Sequence, residues 1–410
     1  MKTKIYLILL VLIFSFAGCS KNQLPVTAPE DIVLTQKSLQ LVNADNSFTF
    51  NLFEKLPDSQ GHNVMVSPLS ISVALSMALN GADGSTKTDM INTLGLSGLS
   101  VDEIDQIYLD LMTALKKADP DVVMNIANSM WIRKSFPVLE SFISTNQKYF
   151  DARVEKLDFN AAALNTINSW VNEKTNTKIP KILDEISSDE IMFLINAIYF
   201  NGKWQTQFEK SQTQDGSFSL SIGSSVTVPY MKIKEKFGYS EQTGYEALKM
   251  PYGRGKFGMV LLLPNVGKTP DQLMNQMSSS SWAALKNALA ASTKVDVWLP
   301  RFKFSWESDL NGILTSLGMG VAFSDIQANF SKINATEKLF ITKVKHKSFI
   351  EVNEEGTEAA AVTSIGIGVT SIGIGGPEFH ATRPFVFLIT EEDTGAILFA
   401  GKVENPLLAN

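Results

Sequence analysis

The sequence predicts an α+β fold organised around a large mixed β-sheet, and three features point there. Apolar residues at helical spacing gather in the first part of the chain. Strand-length apolar runs gather in the later part. Several of those runs are apolar throughout, as strands covered on both faces require. With 410 residues, 44% of them hydrophobic, there is ample material for one packed core. No repeat recurs at a solenoid or propeller period.

The N-terminus stands apart from this pattern. Lys2 and Lys4 precede an apolar run from Ile5 to Phe16, too short for a stable bilayer span but suited to the core of a secretory signal. Ala17 and Gly18 lead to Cys19, the only cysteine in the chain. The arrangement resembles a bacterial lipobox, with Phe16 where leucine is usual. It implies a signal peptide over 1–18 and a lipidated Cys19 as the mature terminus. The expected address is the outer membrane or cell surface, with the periplasmic face as the alternative. With no second cysteine there is no intrachain disulfide, so the core must carry stability. Residues 19–40 are polar, include Pro25 and Pro29, and read as a flexible tether; the domain is expected over 41–410.

Within the body, Phe48, Leu52 and Leu56 recur every four residues and give one helical face. Val64 to Val66 is a short buried strand stopped by Ser67-Pro68. Pro68 then opens a helix over Leu69 to Leu79, which Asn80-Gly81 ends. Another helix begins at Ile167 to Val171 and stops near Pro180. Strands are expected at Ile191 to Phe200, Val226 to Met231, Gly258 to Leu263, Val295 to Leu299 and Pro384 to Ile389.

Composition excludes several functions. Lys and Arg total 36 against 42 Asp and Glu, a net charge of -6, with no basic patch for nucleic acid. There is no Gly-x-Ser-x-Gly elbow, no HExxH and no Cys/His cluster, so no enzyme and no cofactor is expected. His62 and His380 show no metal-ligand spacing.

The segment from Glu354 to Gly376 breaks the pattern. It opens acidic, passes through Ala359-Ala360-Ala361, then repeats Thr-Ser-Ile-Gly-Ile-Gly from Thr363 and again from Thr370. Read as a strand, Thr357, Ala359, Ala361, Thr363, Ile365 and Ile367 share one face, small at first and then apolar. Yet Gly366, Gly368, Gly373 and Gly375 suit an exposed stretch. The segment is therefore compatible with a loop and with a strand. The Gly-x-Gly pairs lack the spacing and following helix of a nucleotide site.

Several ordered motifs make the chain resemble the serpins from about Leu41 to Pro406. They include Asn63-Val64-Met65-Val66-Ser67-Pro68-Leu69-Ser70 and Phe193-Leu194-Ile195-Asn196-Ala197-Ile198-Tyr199-Phe200-Asn201-Gly202-Lys203-Trp204. Val228-Pro229-Tyr230-Met231, Leu248-Lys249-Met250-Pro251-Tyr252 and Leu299-Pro300-Arg301-Phe302 follow in order. Arg383-Pro384-Phe385-Val386-Phe387 and Phe399-Ala400-Gly401-Lys402-Val403 close the series. The resemblance implies three β-sheets, eight to nine helices and an exposed reactive-centre loop over about 354–376.

Glu354, Glu355, Gly356, Thr357, Glu358, Ala359, Ala360 and Ala361 match the family's hinge in its inhibitory form, without proline, bulk or charge at the inserting positions. By resemblance, Ser67, Ser70, Asn196 and His346 form the shutter beneath the central sheet, and Trp204 belongs to the breach where insertion starts. The family's register puts the scissile bond at Thr370-Ser371; the repeat offers Val369-Thr370 and Ile367-Gly368 as near-equivalents.

The implied activity is suicide inhibition. A protease cuts the loop as an acyl-enzyme, the loop inserts into the central sheet, and the protease is carried away and trapped covalently. The candidate specificity residues are small or β-branched and the loop holds no Arg or Lys. Elastase-like and subtilisin-like serine proteases are favoured, with cysteine proteases as a further class. The expected partners are those proteases and, through the lipid only, the membrane. A monomer is expected, able to form loop-sheet polymers. The competing reading is a non-inhibitory serpin acting as a surface binding protein.

Overall fold

The structure is a computed structural model that describes residues 28–56, 61–357 and 376–409. Its first helix, α1 (Gln36–Lys55), starts where the Thr35 side chain accepts from the Ser38 N–H. Its inner face buries Leu41, Phe48 and Leu52. Docking begins earlier still. The Glu30 N–H reaches the Ala118 carbonyl at 3.0 Å, and Asp31 pairs with Lys256, which also holds Asp393. Residues 28–40, read from sequence as the end of a tether, are held by backbone and ion-pair contacts that hydropathy does not register.

Helix α2 (Pro68–Leu79) is capped by Ser67, with Pro68 in its first turn. It is apolar nearly all round and almost wholly buried, as a central helix must be. Then come α3 (Gly84–Thr93), α4 (Val101–Leu115), α5 (Glu140–Phe150), α6 (Ala161–Lys174), α7 (Pro270–Met274), α8 (Ser279–Ala288) and α9 (Asn311–Leu314).

The strands of the first sheet are β1 (Val64–Val66), β5 (Gln214–Ser219), β6 (Ser225–Gln242), β7 (Tyr245–Tyr252), β8 (Phe257–Pro264), β9 (Ser292–Pro300), β13 (Glu378–His380), β14 (Phe385–Glu391) and β15 (Ile397–Val403). Their order is β1-β15-β14-β8-β7-β6-β9-β13, with β5 on β6. Strands β8 and β14 are buried at every residue, as their unbroken apolar runs require. The second sheet runs β10-β11-β12-β4-β2-β3. It comprises β2 (Val122–Arg133), β3 (Arg153–Leu157), β4 (Met192–Lys203), β10 (Phe302–Asp309), β11 (Lys345–Asn353) and β12 (Gly356–Thr357).

The three sheets of the serpin pattern thus form two hydrogen-bonded networks. Strand β6 explains this: it pairs β5 over Ser225 to Tyr230, β9 over Tyr230 to Gly238 and β7 over Gly238 to Gln242. One continuous strand therefore serves two sheets. Strand β4 divides the core. Phe200 packs in the main cluster beside α2, whereas Ile195 and Ala197 pack in a smaller cluster beneath α6 with Trp131, Ile167 and Trp170.

Candidate functional site

The site lies where β12 is held between β11 and β4. Both neighbours run antiparallel to it, with Thr357 opposite Val352 on one side and Gly202 on the other. Strands β4 and β11 are therefore parallel to each other, and a strand that continues β12 between them runs antiparallel to both. Gly356 has φ +153, and a Cβ there would meet the Gly202 carbonyl oxygen at 2.1 Å and the Lys203 Cα at 2.7 Å. Only glycine fits. Gly356→Val is expected to lower stability by about 2 kcal/mol or more, read from the urea midpoint, because backbone rather than a flexible side chain must give way.

Side chains around the turn hold this short strand. The Trp204 indole donates to the Asn353 carbonyl at 2.9 Å and stacks on Tyr252 at 4.4 Å, nearly parallel at 11°. The backbone N–H of Trp204 donates to the Glu355 carbonyl, also at 2.9 Å. Tyr252 shares a buried hydrogen bond of 2.5 Å with the Thr357 hydroxyl. Arg301 grips Glu354 through Nε at 2.8 Å and through Nη2, and Thr213 donates to the same carboxylate oxygen. Burial pushes the Glu354 carboxyl up, but the hydrogen bonds from Arg301 and Thr213 outweigh it and hold it below its ordinary value. Lys210 pairs with Glu355 at 2.7 Å.

Past Thr357, no ladder joins β4 to β11 among the described residues. A cleft of about 400 Å³ lies between them, lined by Ile71 and Leu75 of α2, Leu194 and Asn196 of β4, and Val344 and His346. A narrower continuation, lined by Ser67, Ser348 and Phe200, reaches Thr357. The inward residues Met192, Leu194, Asn196 and Ile198 of β4 are only half-buried, although the strand is almost wholly apolar.

Three of the four expected shutter residues meet at the start of α2. The Ser67 N–H donates to His346 Nε2 at 3.1 Å, and the Ser67 hydroxyl donates to the Leu398 carbonyl at 2.8 Å. The Ser70 N–H donates back to the Ser67 hydroxyl. His346 is buried, which lowers its pKa to about 4, so it is neutral and accepts through Nε2. Asn196 lies across the cleft, donating to Asn128 at 2.7 Å, with its own carbonyl oxygen buried and unbonded. Strand β11 is thus tied to α2, and β4 is tied to β2.

Trp204 and the expected hinge residues Glu354, Glu355, Gly356 and Thr357 come together at this turn. Glu358, Ala359, Ala360, Ala361, Val369, Thr370, Ser371 and Cys19 lie outside the described residues. Sequence reasoning gave no role to Arg301, Lys210, Thr213 or Tyr252, although Tyr252 and Arg301 sit in two of the quoted motifs. Among the described residues no group of three or more His, Cys, Asp or Glu is placed to hold a metal ion. No described helix is long and apolar enough to cross a membrane.

Comparison with known proteins agrees with this geometry. The family described as serpin (serine protease inhibitor) matches residues 43–406. An uncharacterised serpin-like protein of Methanosarcina acetivorans is 35% identical, over 89% of this chain and 86% of its own. Human Serpin B9 is 33% identical, over 89% of this chain and 99% of its own. Among solved structures, the thermophilic serpin tengpin in its native state superposes with a TM-score of 0.83 at 30% identity, covering 92% of this chain and 96% of tengpin.

Proposed function

The chain belongs to the serpin family, whose members are mostly protease inhibitors rather than catalysts, and we propose that it is itself an irreversible inhibitor that works by inserting its cut loop between β4 and β11. The observation that carries this reading is the seat of Gly356 and Thr357. These two residues of the segment already form a strand between parallel neighbours, and the cleft continues beyond them.

That pairing supplies a register. Continued from Thr357, it sets Ala359 between Phe200 and Ile350, Ala361 between Ile198 and Ser348, and Thr363 between Asn196 and His346. Ile365 and Ile367 then cover Leu194 and Met192, the half-buried apolar residues of β4. Small side chains enter first, where the slot is walled by Phe200 and Ile350, and larger apolar ones follow where surface awaits cover. Burying apolar area at about 25 cal/mol per Å² drives the insertion.

The chemistry belongs to the protease. Its serine or cysteine attacks the Thr370 carbonyl, the Thr370–Ser371 amide breaks, the new amine of Ser371 leaves with a proton, and an acyl-enzyme remains. Insertion of about fourteen residues at ~3.3 Å each draws that ester or thioester ~45 Å from its starting place. Deacylation requires a well-aligned triad and oxyanion hole, which a protease forced against the far pole loses. Small and β-branched residues around the bond favour elastase-like and subtilisin-like targets. The same proposal includes lipidation at Cys19, placing the inhibitor at the surface of a bacterial cell.

The test uses protein beginning after Cys19, mixed with an elastase-like protease and run on a denaturing gel. A band at the summed mass is expected, with a released fragment that begins at Ser371. Clean cleavage by elastase-like, subtilisin-like and cysteine proteases, with each left active, would favour a non-inhibitory binding protein instead.

A further inference from the structure

The chain is fastened to the domain before its first helix begins. The Ile32 N–H donates to Asp393 Oδ2 at 2.9 Å. Lys256 holds Asp31 and that same Asp393, and Ile32 and Leu34 pack against the main core. With the bond from Glu30 to Ala118, residues 30–34 are tied to three places: the α4–β2 connection, the β7–β8 turn and the β14–β15 turn.

All three lie at one end of β4. Val122 and Thr357 flank Gly202 from its two sides. Ala118 stands four residues before Val122, so chain and ladder dimensions put Glu30 within ~30 Å of Thr357. The Gly253 N–H of the β7–β8 turn donates to the Lys203 carbonyl at 2.8 Å, beside Gly202. The Glu392 N–H donates to the Lys256 carbonyl at 2.9 Å and brings the β14–β15 turn to the same place. The other end of β4 is Met192, ten residues from Gly202 and ~33 Å away at strand rise. In the register set by β12, Ile367 arrives at Met192 and Thr370 passes ~10 Å beyond it.

We propose that the anchored molecule is tethered at the end from which its loop departs, so that insertion carries the captured protease away from the membrane, to the untethered end of β4. The inference rests on the insertion and lipidation readings above. Cys19 stands eleven residues before Glu30. Eleven residues span at most ~40 Å in any conformation, less than the ~45 Å that the cut end travels. A lipid on Cys19 therefore keeps the membrane close to the Gly202 end of β4. The docked segment sets that pivot. Were it free as far as Thr35, the sixteen residues from Cys19 could reach ~60 Å, and the tether would no longer start beside Gly202. Asp393 is central to the docking, because its carboxylate both accepts from Ile32 and pairs with Lys256.

The experiment uses the sole cysteine. Protein beginning at Cys19 is coupled through that thiol to a maleimide lipid in phosphatidylcholine vesicles whose outer leaflet carries an acceptor dye. A donor-labelled elastase-like protease is added in two forms. One has its nucleophilic serine replaced by alanine and stops at the encounter complex; the other is active and proceeds to the covalent complex. Energy transfer is expected to be at least about twofold lower in the covalent complex, because the donor moves outward by ~45 Å. Asp393→Ala is expected to shrink that difference while giving the wild-type yield of covalent complex in solution. Equal or greater transfer after trapping, with the covalent band present on a denaturing gel, overturns the outward movement and leaves insertion standing. No covalent band with elastase-like, subtilisin-like or cysteine proteases overturns insertion and this inference with it. Lipidation is read separately, by mass spectrometry of the N-terminal peptide from a bacterial membrane fraction. A lipid on Cys19 is expected, and an unmodified Cys19 overturns the anchoring.

Discussion

Thr363→Arg is expected to abolish the covalent complex while leaving the loop fully cleavable. In the register begun by Thr357, position 363 arrives between Asn196 and His346, above the start of α2. Thr363 has a hydroxyl that fits beside the unbonded Asn196 carbonyl oxygen. An arginine brings a long cation into a slot whose buried walls include Ser67 and a neutral histidine. An unpaired buried charge costs several kcal/mol, so insertion stalls after Ala361, only two further pairs beyond Thr357. The acyl-enzyme then has time to hydrolyse, and the protease leaves active. Denaturing gels are expected to show cut inhibitor and no complex, with protease activity fully recovered, whereas Thr363→Ser keeps the complex. Complex formation by Thr363→Arg at the wild-type level would mean that the loop does not enter in this register.

Much of this arrangement was legible in the sequence, and the gaps have physical causes. The Ser67-Pro68 stop, the buried α2 and the unbroken apolar strands β8 and β14 were readable because local pattern and burial coincide there. Strand β6 was read only over Val226 to Met231. Its continuation alternates Lys232, Lys234 and Lys236 with other residues and carries no continuous apolar signal. The run at Ile191 to Phe200 was read as a strand and is apolar but for Asn196, yet Met192, Leu194 and Ile198 are half-buried. That mismatch marks the cleft: an apolar strand is left partly uncovered there. The hinge partners Arg301, Lys210 and Thr213 were not legible as partners. Each reaches Glu354 or Glu355 from more than fifty residues away in sequence, and an ion pair of that kind is set by tertiary neighbours.

Between pH 7 and pH 4 two buried groups are expected to pull stability in opposite directions, and two variants separate them. His346 has its pKa lowered by burial from 6.5 to about 4. As acid is added, the unfolded chain takes up this proton first. The contribution of His346 is complete above pH 6.5 and is lost as the pH falls towards 4, by about 3 kcal/mol. Asp45 on α1 behaves in reverse. Burial raises it from 3.8 to about 7, against the lowering effect of the hydrogen bond from Tyr108. The Tyr108 hydroxyl donates to one of its oxygens at 2.9 Å, and the other oxygen has no partner. The folded state keeps this proton while the unfolded chain releases it above pH 3.8, so stability is lost as pH rises to 7, by about 4 kcal/mol. Relative to wild type, His346→Gln is therefore expected to gain about 3 kcal/mol on going from pH 7 to pH 4, and Asp45→Asn to lose about 4 over the same interval. Urea titrations at several pH values measure both differences, and two variants that simply track the wild type would refute the assignment. Acid takes from the Ser67 N–H its acceptor on β11, while it leaves Asp45 protonated and its hydrogen bond with Tyr108 intact. Acid is then expected to speed strand entry without unfolding the protein, because the group that weakens lines the cleft and the group that strengthens is not part of its lining.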